Sequence, residues 1–219
     1  MKVPRNFMYR ASGLLLAVFC AALLVPEIYG QSPAGTVQVR GLVGSVTYAT
    51  GEGAPMPARA GETIPVGALI KTAPGAAVDL AFSHNAGVVR LLQDSALSLN
   101  QFTIANAPSE AGVEVQLHLI HGTMVGFDKK LAGSSKYQIK VTDGIADISG
   151  SKYRINAQGY LVLLEGTALF VFIPPSGEPL PFELKAPPPV YFSPVEGVRH
   201  APDQLVREVQ FQTKGKLRH

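Results

Sequence analysis

The chain has 219 residues, 47% of them hydrophobic and 16% charged, with 22 glycines and 17 prolines. That is enough apolar material for one globular body with appendages, and breakers at this density favour strands over helices. Lys2, Arg5, Arg10 and Glu27 fall in an N-terminal leader, and without them 16 basic residues face 15 acidic ones; a near-neutral body gives no support to a phosphate-tracking surface, so no nucleic-acid partner is expected.

In the leader, Lys2, Arg5 and Arg10 precede an apolar run from Leu14 to Val25, Pro26 ends it, and Tyr29-Gly30-Gln31 offers a small residue for cleavage. This is the order of a secretory signal. A helix over that run reaches about 18 Å, against about 30 Å of bilayer hydrocarbon. Residues 1–30 are therefore expected to be a signal peptide cut after Gly30, with Ala34 as the second site. The alternative is an uncleaved inner-membrane anchor over residues 11–26, the only membrane contact foreseen. Either way the body is exported, to the periplasm or beyond. The single cysteine, Cys20, lies inside the apolar run behind Phe19, an unsuitable neighbour for lipidation. Once the leader is removed, no disulfide, cysteine nucleophile or cysteine-ligated metal can form.

The body opens with Val39, Leu42, Val43 and Val46 to Tyr48, one or two strands, and then a loop dense in breakers from Gly51 to Pro57. Gly61 and Gly67 bracket Thr63-Ile64-Pro65, as two tight turns flanking a short strand would. Leu69 to Thr72 ends a strand and Ala73 to Ala76 turns. Val78, Leu80 and Phe82 alternate with Asp79 and Ala81. His84 to Gly87 turns again, Val88 to Leu92 is a strand, and Asp94-Ser95 is a turn before Leu97, Leu99 and Phe102. A polar loop follows over Ala105 to Ala111. Val113, Val115 and Leu117 then alternate with Glu114, Gln116 and His118, the pattern of a half-exposed strand.

His121-Gly122-Thr123 leads to Met124–Phe127, and Asp128 to Ser135 reads as a solvated turn. Tyr137, Ile139 and Val141 form a strand, Asp143-Gly144 a turn, and Ile145 and Ile148 lead to a further corner at Ser149-Gly150-Ser151. Tyr153 and Ile155 begin another alternation, Asn156 to Gly159 turns, and Tyr160 to Leu164 runs to a corner at Glu165-Gly166-Thr167. Ala168 to Ile173 is the last apolar run. Strands this short, interrupted every eight to twelve residues, need neighbours above and below, which is the logic of a stacked β architecture.

Pro174 to Pro189 cannot join a central strand, and Pro187 to Pro189 is expected as polyproline II. Val190-Tyr191-Phe192 reads as a strand. Asp203 is placed to cap a helix from Gln204 to about Thr213 with Leu205, Val206 and Val209 on one face; a strand through Leu205, Val209 and Phe211 is the competing pattern. Lys214 to His219 is a small basic tail.

Candidate chemistry is sparse. His118 and His121 have metal-like spacing, but on a strand residues three apart point to opposite sides, so one is expected to face in and one out, with no metal. Asp143 and Asp147 could share a face. Asp143 is also the natural turn former, and Glu165 reads as a structural acceptor beside its glycine. With no Trp and seven Tyr, stacking surfaces for sugars are thin. No catalytic, cofactor-binding or metal-ligating residue and no cofactor is assigned.

Two ordered patterns carry a resemblance. G-x-x-I-P-x-G-x-x-I-K-T from Gly61, V-x-L-x-F from Val78 and D-S-x-L-x-L from Asp94 resemble the first half of a FecR-type domain. T-x-G-x-A-x-I-x-G-S-x-Y-x-I from Thr142 and L-L-E-G-T-A-x-F from Leu163 resemble the second. The family is named after the periplasmic part of the ferric-citrate signalling regulator. Ser149-Gly150-Ser151 stands where it most often has Arg-Gly-Thr, so no role tied to that Arg carries over. The matches span about Val37 to Ile173, setting a β domain over 36–173 and a proline-rich segment with basic tail over 174–219. The resemblance implies an all-β fold, a β-solenoid-like stack of short strands, with a sandwich or barrel as the alternative from the residues alone.

In function the resemblance implies a non-enzymatic envelope module that binds, senses or scaffolds through an envelope protein or cell-wall component. About a dozen residues precede the apolar run, too few for the cytoplasmic anti-sigma region of the family's signalling members. A carbohydrate-active enzyme using Asp143, Asp147 and Glu165, or a structural unit that self-associates through open strand edges, are the competing readings.

Overall fold

Alternation in sequence becomes alternation in burial: in β1 (Val37–Val43) Val37 and Val39 are buried while Gln38 and Arg40 face solvent. The computed structural model describes residues 33–105, 112–127, 134–175 and 177–214, all within one compact unit. The leader, most of the expected loops at 105–111 and 128–135, and the end of the basic tail lie outside the described residues. After β1 come β2 (Val46–Thr50), β3 (Met56–Pro57), β4 (Thr63–Ile64), β5 (Ala68–Thr72), β6 (Ala77–Phe82), β7 (Val88–Leu91) and β8 (Ser95–Ala105). Then follow β9 (Gly112–His121), β10 (Thr123–Phe127), β11 (Lys136–Val141), β12 (Gly144–Asn156) and β13 (Leu161–Phe172). β14 (Leu180–Ala186), β15 (Val190–Ser193), β16 (Gly197–His200) and α1 (Asp203–Thr213) complete the described chain. No helix among the described residues is long and apolar enough to cross a membrane.

The protein is all-β. Its sheet runs β3-β2-β5-β8-β9-β11-β12-β10-β7-β6-β1-β4, with β13 to β16 attached through β12, and curls into a half-barrel. Among the described residues every strand pair is antiparallel except β9 with β11. Two long strands make the curl. The first half of β12 pairs with β11 and its second half with β10, while β13 takes β15 along its first part and β14 along its second. The sheet thus has two walls that meet at β12, the first continuing through β11 and the second through β10 and β7, and β12 with β13 belongs to both.

Here the structure corrects the expected corners at Ser149–Ser151 and Glu165–Thr167. Neither ends a strand: β12 runs through 13 residues and β13 through 12, with register shifts between Ser149 and Tyr153. Gly150 and Gly166 have φ of 58° and 88° and lie against each other across the pair, and the Ser151 hydroxyl is 2.8 Å from the Ser149 carbonyl and 2.9 Å from that of Thr167. This is a bulge, which bends and twists a ladder without terminating it. Local composition cannot distinguish a bulge from a turn, since both want glycine and a short hydroxyl side chain. The other boundaries shift by less. Met56–Pro57 inside the expected loop pairs with β2, and Ser95 starts β8 instead of closing a turn.

The inner face is filled by aliphatic side chains and two aromatic clusters. Phe82 packs edge-on to Phe102 at 5.5 Å and to Tyr137 at 6.2 Å. Phe192 sits 4.6 Å from Phe170, 6.1 Å from Phe172 and 4.8 Å from Phe182. Offset and edge-to-face rings at these separations add to the area they bury. The second cluster draws the proline-rich segment into the body: Leu184 of β14 and Phe192 of β15 are core residues.

Among the described residues β14 pairs only with β13, so the proline-rich stretch supplies an edge strand, as proline allows. Polyproline II over Pro187–Pro189 is not observed. The Ala186-Pro187 and Pro187-Pro188 bonds are cis, and the chain turns there from β14 to β15. The helical alternative for the C-terminus is the one adopted. Val209 is buried with Leu205 and Val206 packed beside it, against Val162, Leu164 and Ala201. Pro202 is the N-cap and makes no side-chain cap bond; Asp203 lies in the first turn, where its charge favours the positive end of the helix.

Candidate functional site

The residues singled out in the sequence are dispersed. Asp143 is exposed in the turn between β11 and β12. Asp147 is opposite Leu169 of β13, whereas Glu165 is exposed opposite Lys152. Leu169 and Glu165 are four residues apart on one strand, about 13 Å, so these carboxylates do not converge.

His118 and His121 differ from the expected one-in, one-out pair. A register shift opposite Ala96 and Leu97 places both Ile120 and His121 in solvent, and the core positions go to Leu117 and Leu119. A bulge resets the alternation on which the expectation rested. Among the described residues no group of three His, Cys, Asp or Glu could hold a metal ion.

His118 lies half-buried opposite Ser98 and Lys140. Burial, then the Lys140 charge, lowers its pKa from 6.5. A histidine depressed in the fold binds its proton more readily when unfolded. Stability is therefore complete above pH 6.5 and declines as pH falls through that value toward the folded pKa. His118→Gln is expected to flatten this part of the stability–pH profile, measured by urea unfolding at a series of pH values. An unchanged profile would remove His118 as its source.

The site that sequence reasoning missed lies under α1, on the outer face of the second wall. Arg90 of β7 grips Asp79 of β6 with two bonds, Nε to Oδ1 at 2.6 Å and Nη2 to Oδ2 at 2.8 Å. Its Nη1 donates to the Gln212 carbonyl at 2.9 Å, tying the last turn of α1 to the sheet. The side chains are only 14% and 9% exposed. A sequence signal existed: counting outward from a hairpin turn at His84-Asn85 sets Asp79 opposite Arg90, the register observed.

Arg154 of β12 stands further along, between Val125 and Val162 on the flanking strands. Its Nη2 is 3.4 Å from the Glu208 carboxylate, long for a charge-assisted bond, and its Nε is buried without a hydrogen-bond partner among the described residues. Two clefts flank it. The larger, about 610 Å³, lies beside His121, Thr123, Glu208 and Gln212; the smaller, about 380 Å³, is lined by Arg154, Asn156, Tyr160, Val162, Tyr191, Phe192, Pro202 and Leu205.

A second accessible feature is the free edge of β14. Near it Ile145 and Leu169 on the outer face are 36% and 41% exposed, and Leu180, which begins β14 on the face of Phe182 and Leu184, is 44% exposed. Asp147, Leu169, Glu183 and Lys185 line a shallow groove there, with Lys185 and Glu183 paired at 3.1 Å in solvent. No family model matches the chain, and neither a curated protein nor a solved structure matches it.

Proposed function

We propose that the protein is a non-enzymatic, exported FecR-like module of the bacterial envelope that binds, senses or scaffolds through protein or cell-wall contacts. The observation that carries this reading is the β14 edge: a strand paired on one side only among the described residues, with Leu180 on it and Leu169 on its neighbour left exposed. An unpaired row of backbone donors and acceptors beside apolar side chains is the arrangement through which an extended segment of a partner adds to a sheet. The carboxylates that an enzyme on this scaffold would need are spread over a turn and two strands, which favours recognition over turnover.

The test is capture from envelope extract by the immobilised chain, compared with the Leu169→Lys/Leu180→Lys variant. Both positions are exposed, so the fold should hold, and a partner seated on this edge should be captured about tenfold less well. Capture equal to that of the unaltered chain, or no reproducible partner, would overturn the reading. A second copy could occupy the same edge, and sedimentation velocity across a concentration series distinguishes that case.

A further inference from the structure

The smaller cleft beside Arg154 has the chemistry of a ligand site, independent of the strand-edge reading. Val162, 4% exposed, gives it an apolar base, while the Phe192 ring points to the other side of the sheet, into the cluster with Phe170 and Phe182. Its walls are the rings of Tyr160 and Tyr191 together with Pro202 and Leu205 at the start of α1. Two polar groups stand at one end. Arg154 holds Glu208 by a single long contact and keeps its Nε unbonded among the described residues. Asn156 uses Oδ1 to accept the amides of Gln158 at 3.1 Å and Tyr160 at 2.9 Å, which directs Nδ2 away from that turn as a donor with no partner among the described residues.

A pocket that is mostly apolar with a few convergent polar groups is the usual form of a small-molecule site. Guanidinium and amide N–H groups together select an acceptor, and the long Glu208 contact, made on the side of the larger cleft, leaves guanidinium capacity for a carboxylate. We infer that this cleft binds an apolar or aromatic carboxylate, its body between Tyr160 and Tyr191 and its carboxylate on Arg154 and Asn156. The chemistry is shared by free aryl or alkyl acids and by the C-terminus of a peptide ending in an apolar residue. Because Leu205 and Glu208 belong to α1, occupancy also alters how the helix sits on the sheet.

The experiment is NMR titration of the folded chain with 3-phenylpropionate, its neutral amide 3-phenylpropionamide, and N-acetyl-phenylalanine. The acid is expected to shift Tyr160, Tyr191 and the α1 amides and to bind about tenfold more tightly than the amide. Arg154→Gln should erase that preference. Tyr160→Ala should weaken both ligands while preserving it, which separates loss of the carboxylate contact from damage to the cleft. Tighter binding of N-acetyl-phenylalanine than of 3-phenylpropionate supports the inference with a peptide terminus as the source; the reverse order supports it with a free acid. Equal binding of acid and amide, a preference that survives Arg154→Gln, or no shift at about 20 mM ligand, weaker than any specific site of this kind, would overturn it.

Discussion

Arg90→Met is expected to lower the free energy of unfolding by about 3–5 kcal/mol, because it removes the guanidinium that grips the buried Asp79 carboxylate with two bonds. Asp79 is 6% exposed, and the pair is bidentate, so water cannot replace what the guanidinium provides. Arg90 also holds the Gln212 carbonyl, so amide exchange in the last turn of α1 should accelerate in the same variant. The control is Asp79→Leu/Arg90→Met. Removing both charges exchanges a desolvated ion pair for apolar packing and should recover most of the loss. Urea unfolding followed by near-ultraviolet circular dichroism reads all three chains. A loss below about 1 kcal/mol for Arg90→Met would put the pair in the class of solvated surface bridges.

Gly166→Ala should be nearly as damaging, for a steric reason. Gly166 has φ of 88°, and a Cβ built there would collide with the Gly150 carbonyl and the Ser151 hydroxyl. The left-handed backbone costs a non-glycine residue about 1–3 kcal/mol, and overpacking adds about 1–3 kcal/mol more. Gly177 has the similar φ of 86° but nothing within 4 Å of its Cβ position, so Gly177→Ala pays the backbone cost alone. Thermal unfolding should show Gly166→Ala several degrees below Gly177→Ala, at about 2–4 °C per kcal/mol for a chain of this size. Equal melting temperatures would show that the bulge relaxes to admit a methyl group and does not fix the bend of β12 and β13.

Much of the strand content was legible. Val78, Leu80 and Phe82, or Tyr137, Ile139 and Val141, alternate because one face of each strand must be buried, and those side chains are in the core. The turns at Gly61 and Gly67 were legible because positive φ is cheap only for glycine. The bulges at Gly150 and Ile120 were not. A bulge and a turn share composition, and only a partner strand continuing past the irregularity distinguishes them. The same blindness misplaced His121, whose exposure depends on its register against β8.

The candidate site was harder still. Asp79 and Arg90 were within reach through hairpin counting, but the cleft at Arg154 combines β12, β13, β15 and α1, elements that no local pattern joins. Tyr160, Tyr191 and Leu205 looked like ordinary strand and helix residues until the curl of the sheet brought them around one guanidinium.

By itself the sequence determined the class of the fold, the positions of most strands and the amphipathic stripe of the last helix, because periodicity and turn chemistry act over a few residues. Tertiary structure alone decided that β12 and β13 serve both walls and that α1 lies over Arg90 and Arg154. Those outcomes depend on which strands pair across long separations, where burying apolar area competes with closing long loops, and no short window of residues records that balance.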